Sequence, residues 1–294
     1  MAESIKNRYE LRNRYVFTGQ LVMQTAFHIG GGRVTLSSSD SPVVLTPEQI
    51  PFIPGSSFKG ALRSTVEKLV PSLPEEAGLS SCGLIEPLKE NEEQKTDRPL
   101  CPTIRQKTIT DDLRARPGSA EEIRSRILKE LCDTCKLFGS PYAASRVNIN
   151  DLYMASKEWS GVVQIRDGVA IDRDSEKAKD RLKYDFEVVP ASATFDLKIT
   201  LENATDEDLQ LICVGLSEFV HGFGFIGGKR SRGLGACRLE KLEIHSLRLD
   251  DKENRTERLR KYLLSGEKAL QVEDSEAFLN KYINDIFGNK AEAR

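Results

Sequence analysis

The chain has 294 residues, 39% hydrophobic and 30% charged, with a formal net charge of −2. This balance is that of a globular protein with a real core, and it excludes a disordered or fibrous chain. No run approaches the roughly 18 apolar residues of a membrane span, and the opening MAESIKNRYELRNRYVF has no apolar signal core, so a cytoplasmic protein without a membrane partner is expected. Six cysteines in such a chain read as thiols or metal ligands rather than a disulfide framework. Near-neutral total charge argues against polyanion binding over the whole surface. It permits a local basic groove, because screening confines fields to about 8 Å.

The first predicted element is a strand or strand pair over YVFTGQLVMQTAFH, rich in β-branched and aromatic residues and ended by IGGG. A loop broken by Pro42, Pro47, Pro51 and Pro54 follows. GSSFKGALRSTVEKLV then reads as a helix capped by Ser56 or Ser57, with Phe58, Leu62, Val66, Leu69 and Val70 as its apolar face. Residues 71–130 are polar, proline-punctuated and acidic from Glu86 to Glu93, and are expected to form an insertion without a core of its own. SRVNINDLYMA alternates as a strand. GVVQIRDGVAIDR begins another and runs into DSEKAKDRLKYDFEVV, which gives a long hairpin with a polar tip. ATFDLKITLE alternates Phe195, Leu197, Ile199 and Leu201. TDEDLQLICVGLSEFVHG starts with a cap and an acidic first turn and continues as a helix. ACRLEKLEIHSLRL is the last predicted strand, and residues 250–294 read as polar, amphipathic helices. Without insertions the order is strand, helix, strand, strand, helix, strand. That is the α+β, ferredoxin-like βαββαβ plan, whose antiparallel sheet also serves as a platform in RNA-recognition modules.

Between the last helix and strand of that plan lies GFIGGKRSRGLG, with five glycines, three cations and no acid. Glycine lets a ligand approach main-chain N–H groups, and successive N–H groups can cradle an anion. Lys229, Arg230 and Arg232 add donors for phosphate oxygens. GFGFIG spells a dinucleotide fingerprint but follows a helix and leads to a strand, the reverse of that motif. Gly228-Lys229 is followed by Arg230, so it is no P-loop. The plainer alternative is a solvated hairpin with incidental charge.

Four stretches in series, FHIGGG…SSSDSPVV, PFIPGSSFKGALRS, CDTCKLFGSP and GFIGGKRSRGLGACRLE, resemble the RAMP superfamily. More narrowly they resemble the backbone subunit of type III CRISPR–Cas effector complexes. The resemblance covers about residues 15–248. It implies a palm at 1–249 that grips CRISPR RNA, copies stacked head to tail along that guide, and partners among the other type III subunits. It also implies a thumb hairpin at about 162–190 that kinks the guide–target duplex, an insertion at 71–137, and a helical extension at 250–294. The target RNA would be cut by an aspartate with a divalent cation such as Mg, leaving a cyclic phosphate.

By that resemblance Asp40 is the cleaving aspartate. His28, Ser56, Ser57, Lys59, Arg63, Arg166, Gly227, Gly228, Lys229, Arg230 and Arg232 are the RNA-binding residues. Read alone, Asp40 is a turn-former and His28 a structural histidine. His221 and His245 carry no motif. Cys82, Cys101 and the C-x-x-C pair Cys132 and Cys135 can close a tetrahedral zinc site that staples the insertion, and related members carry zinc there. The alternatives are four buried thiols or a redox pair, although no thioredoxin-like context surrounds it. Cys213 and Cys237 read as core. Val169, Ile171, Leu182, Tyr184 and Phe186 are candidate wedges on the hairpin. Trp159 and the phenylalanines read as core. Three activities remain open: a guide-binding endoribonuclease, the same scaffold without cleavage, or a stand-alone endonuclease that processes precursor RNA.

Overall fold

The structure is a computed structural model that describes residues 10–31, 39–84, 101, 103, 120–154, 159, 161–171, 178–250 and 254–288. Its elements are β1 (Asn13–Met23), β2 (Phe52–Ile53), α1 (Gly55–Leu69), α2 (Ala120–Glu130), α3 (Asp133–Phe138), β3 (Val147–Ile149), β4 (Leu152–Tyr153), β5 (Gln164–Ile171), β6 (Ala178–Val188), β7 (Thr194–Glu202), α4 (Asp206–Val220), β8 (Gly224–Phe225), β9 (Ala236–Arg248), α5 (Arg255–Ser265), β10 (Gln271–Glu273) and α6 (Ser275–Ile286).

β1 organises the sheet. Its alternate side chains Tyr15, Phe17, Leu21 and Met23 are buried, while Thr18, Gln20 and Val22 are half-exposed. β7 pairs with one edge from Arg14↔Glu202 to Val22↔Thr194, and β9 with the other from Asn13↔Arg248 to Met23↔Cys237. β3 continues the sheet beyond β7 and β10 beyond β9, all antiparallel. The spatial order is β10-β9-β1-β7-β3, with β8 beside the start of β9.

Helices α1 and α4 cover the apolar face. Phe58, Leu62 and Val66 of α1 and Leu209, Ile212, Leu216 and Phe219 of α4 join Phe17, Phe195, Leu197 and Ile199 in one core. α4 opens with the expected cap: Thr205 and Asp208 exchange side-chain-to-backbone bonds. α1 opens differently. It begins at Gly55 after Pro54, so Ser56 and Ser57 lie inside its first turn. The Gly55 N–H donates instead to Asp151 Oδ1 at 2.7 Å. A carboxylate from a segment far along the chain replaces the serine cap.

Two other segments are better integrated than their sequence implies. In the insertion, Ile127 of α2 and Leu131 just after it pack with Cys101, Cys132, Cys135 and Ala143 into a small cluster of their own. Residues 85–100 and 104–119 lie outside the described residues. The C-terminal segment is part of the palm's packing. β10 joins the sheet, and Phe278, Leu279 and Tyr282 of α6 enter the main core. The Phe278 ring lies 5.9 Å from Tyr15, 6.2 Å from Phe17 and 4.8 Å from Tyr282.

Truncating so buried a ring removes both transfer energy and packing. Phe278→Ala is expected to cost about 3–5 kcal/mol, measured by urea unfolding of the full chain. A loss under about 1 kcal/mol would mean that α6 does not contribute to the core.

Candidate functional site

The end of β6 reads Tyr184-Asp185-Phe186-Glu187-Val188, and successive side chains of a strand point to opposite faces. Phe186 and Val188 are buried with Ala26 and Leu234, and Tyr184 packs against them. Asp185 and Glu187 hold the loop that carries Asp40. The Asp40 N–H donates to Asp185 Oδ1 at 2.7 Å, and the Asp185 N–H donates back to Asp40 Oδ2 at 3.2 Å. Two residues on, the Glu187 N–H donates to the Ser41 carbonyl at 3.0 Å, and the Val43 N–H donates to Glu187 Oε2 at 2.9 Å. Asp40 itself is exposed.

His28 sits behind this loop. Its Nδ1 lies 2.8 Å from the Glu187 carbonyl and its Nε2 lies 3.2 Å from Ser41 Oγ. A carbonyl only accepts, so Nδ1 carries the proton and Nε2 accepts from the serine hydroxyl. Burial holds the ring below the usual histidine pKa. The Lys229 cation adds to this, and the bond to Glu187 opposes it. The neutral imidazole is therefore a strut between β6 and the Asp40 loop.

The glycine-cation loop closes over the other face of β6. Lys229 Nζ stands 4.3 Å from the Phe186 ring centre and 5.8 Å from that of Tyr184. The Arg232 guanidinium lies 5.7 Å from the Tyr184 ring centre and donates to the Tyr184 hydroxyl. Such contacts contribute about 0.5–1 kcal/mol each at a partly wet site. The Gly228 N–H donates to the His28 carbonyl at 3.0 Å. Gly227 has φ +79°, and a Cβ there would stand 2.3 Å from that same carbonyl oxygen. Arg230 and Arg232 are exposed, and Arg230 Nε donates to the Gly227 carbonyl at 3.1 Å.

The remaining predicted positions separate from this centre. Ser56 is exposed and Ser57 half-buried at the start of α1, where Asp151 already supplies an anion. Lys59 Nζ donates to Ser145 Oγ at 2.7 Å and to the Val147 carbonyl at 3.2 Å; burial, then Arg63, lowers its pKa. Arg63 bonds Glu67 at 2.7 Å, the Gly139 carbonyl at 3.1 Å and Cys135 Sγ at 3.4 Å. Both cations thus serve internal acceptors. Arg166 is exposed on β5, opposite Phe186. The side chains of Val169, Ile171 and Leu182 lie outside the described residues.

Cys82, Cys101, Cys132 and Cys135 converge, with all four sulfurs within 4.8 Å of one another and Cys82 to Cys135 at 3.6 Å. A tetrahedral ion with metal–sulfur bonds near 2.3 Å needs sulfurs about 3.8 Å apart, so the set can hold a metal ion. All six cysteines are free thiols. Hydrogen bonds from Cys132, Cys135 and Cys82 pull the Cys101 thiol far below its ordinary pKa, while the bond with Cys101 pushes Cys82 far above. Cys213 and Cys237 are buried in the main core.

A family model described as the RAMP superfamily matches residues 20–238, which include the Asp40 loop, α1, the four cysteines, the β5–β6 hairpin and the glycine-cation loop. The chain belongs to the RAMP superfamily. A protein of Streptococcus thermophilus named "CRISPR system Cms endoribonuclease Csm3" is 24% identical over 242 residues, 77% of this chain and 87% of the relative. Proteins of the same name from Methanothermobacter thermautotrophicus and Enterococcus italicus are 37% and 44% identical over 59 residues. Those two alignments span 19% of this chain and 24% and 28% of the relatives.

Sequence reasoning missed Asp185 and Glu187, although the polar–aromatic alternation of KYDFEV carried the signal. It also read the phenylalanines other than the candidate wedge Phe186 as core, whereas Phe223, just before β8, is 68% exposed and Phe225 on β8 is 40% exposed. Gly227→Ala is expected to destabilise by about 2 kcal/mol or more, since it adds a Cβ against a carbonyl at a positive φ. Differential scanning calorimetry beside Gly233→Ala, where a Cβ meets nothing within 4 Å, checks the packing part of that cost.

Proposed function

We propose that the chain is a CRISPR RNA-binding backbone subunit of a type III effector complex and an endoribonuclease acting on guide-paired target RNA. The observation that carries the reading is the meeting of three parts on β6: the Asp40 loop, His28 and the glycine-cation loop. RAMP membership and relatives named CRISPR endoribonucleases support it. The sheet order β9-β1-β7-β3, with α1 and α4 on one face, supports a ferredoxin-like palm at 1–249. The β5–β6 hairpin corresponds to the thumb, the cysteine-bearing segment to the insertion at 71–137, and α5 and α6 to the extension at 250–294.

The guide's phosphates would meet Lys229, Arg230 and Arg232 and the N–H groups of Gly227 and Gly228, with Ser56 and Ser57 at the helix start and Arg166 on the hairpin as flanking donors. Lys59 and Arg63 stand behind that surface and brace it through their internal bonds. Copies of the chain along one guide, and other subunits of the complex, follow from the same reading.

In cleavage, the ribose 2′-oxygen attacks the adjacent phosphorus. The P–O5′ bond breaks, the 2′-hydroxyl proton leaves, and the departing 5′-oxygen takes one up, leaving a cyclic phosphate. Asp40 Oδ1 lies outside the bond to Asp185 and is an oxygen donor suited to a hard cation such as Mg. When bound there, such an ion would offset charge on the phosphate. A histidine-driven reaction is less well served, because both ring nitrogens of His28 are engaged.

Asp40→Ala is expected to abolish target cleavage by the native assembly while leaving its bound RNA unchanged, read by gel and by sequencing that RNA. Neutralising Lys229 and Arg230 should weaken guide binding and lower its log–log salt slope by about 0.7 for each phosphate that is no longer neutralised. An assembly without guide RNA would refute the reading. The four cysteines would hold one structural zinc, with Arg63 beside Cys135 to offset thiolate charge. Elemental analysis after dialysis should return about one zinc per chain, and Cys132→Ser should remove it.

A further inference from the structure

We infer that Asp185 is a positioning residue for Asp40, so that the thumb hairpin sets where the cleaving carboxylate stands. The inference rests on the reading that Asp40 acts in RNA cleavage. The two aspartates hold each other reciprocally. Each gives its backbone N–H to one carboxylate oxygen of the other, at 2.7 and 3.2 Å. Such an arrangement is selective. Two carboxylates placed together repel unless each charge rests on a donor, and here each donor belongs to the partner's main chain. The pair therefore fixes side-chain direction as well as loop height. Asp40 Oδ2 is turned to β6, and Oδ1 takes no part in the pair. Asp40 is exposed.

The remaining ties of the loop act elsewhere. Glu187 secures Ser41 and Val43, and His28 secures the Ser41 hydroxyl. They keep the segment on the strand without touching the Asp40 side chain. Only the bond to Asp185 N–H, among the described residues, orients the Asp40 carboxylate. That N–H is set by the position of the β6 backbone, which is paired with β5 through Asp167↔Asp185. The Asp185 carboxylate completes the clamp by holding the Asp40 N–H. Displacement of a reacting group by about 1 Å can cost on the order of a hundredfold in rate.

The test uses the full chain in its native assembly, with single-turnover cleavage of a target RNA complementary to the bound guide. Asp185→Ala removes the acceptor for the Asp40 N–H and is expected to slow cleavage roughly tenfold or more. Bound guide RNA and melting midpoint should stay close to the parent's. Asp185→Asn keeps an oxygen acceptor at the same place and is expected to restore cleavage to within about threefold of the parent. That rescue marks positioning by a hydrogen bond, not by charge. The proposal is overturned if Asp185→Ala cleaves like the parent, or if Asp185→Asn is as slow as Asp185→Ala. Should the alanine variant fail to fold, the asparagine variant decides alone: parental rate supports the proposal and a dead variant overturns it. Asp40→Ala run alongside separates the two levels. If it still cleaves, the reading of Asp40 fails; if it is dead while Asp185→Ala is fully active, only the role of Asp185 fails.

Discussion

The two-residue period of β6 is what holds the functional half of the molecule together. Tyr184 and Phe186 carry Lys229 and Arg232 on one face, while Asp185 and Glu187 carry the Asp40 loop on the other. A slip of one residue would exchange the faces, setting rings against a carboxylate loop and acids beneath cations in the wrong geometry. The register is guarded by Gly168 on β5. The Tyr184 ring lies over it so closely that a Cβ would come within 2.4 Å of the ring. Any larger residue there would push the ring away and loosen its contact with Arg232.

The same alternation explains how a nearly neutral chain can present a local cationic surface. Lys229 and Arg232 lie against the rings of Tyr184 and Phe186, while Asp185 and Glu187 accept from the N–H groups of Asp40 and Val43. Arg230 and Arg232 stay exposed on one side, while two other cations of the motif series are turned to internal acceptors. Arg63 ties α1 to the cysteine cluster through Cys135 and to the Gly139 carbonyl, and Lys59 ties it to Ser145 and to the first residue of β3, Val147. The cations of the motif series thus divide into exposed and internally bonded ones.

Much of the fold was legible because its signals are local. Alternation in β1 and β7 and the Thr205–Asp208 cap of α4 depend on residues a few positions apart. The candidate site was legible where glycine and charge cluster in one loop. It was illegible where partners are distant: Asp151 reaches Gly55 across 96 positions, and Asp185 reaches Asp40 across 145. No periodicity announces such pairs. The C-terminal segment misled for a related reason. Its polar face is long, and the residues that dock it, Phe278, Leu279 and Tyr282, declare their role only once the core they enter exists.

The outer strands carry a consequence for assembly. β3 and β10 are three residues each, and β8 shields the opposite end of β9. Among the described residues the main sheet therefore ends on two short strands, β10 and β3. A strand added at either of these edges would find three residues to pair with, too few to carry the sheet far.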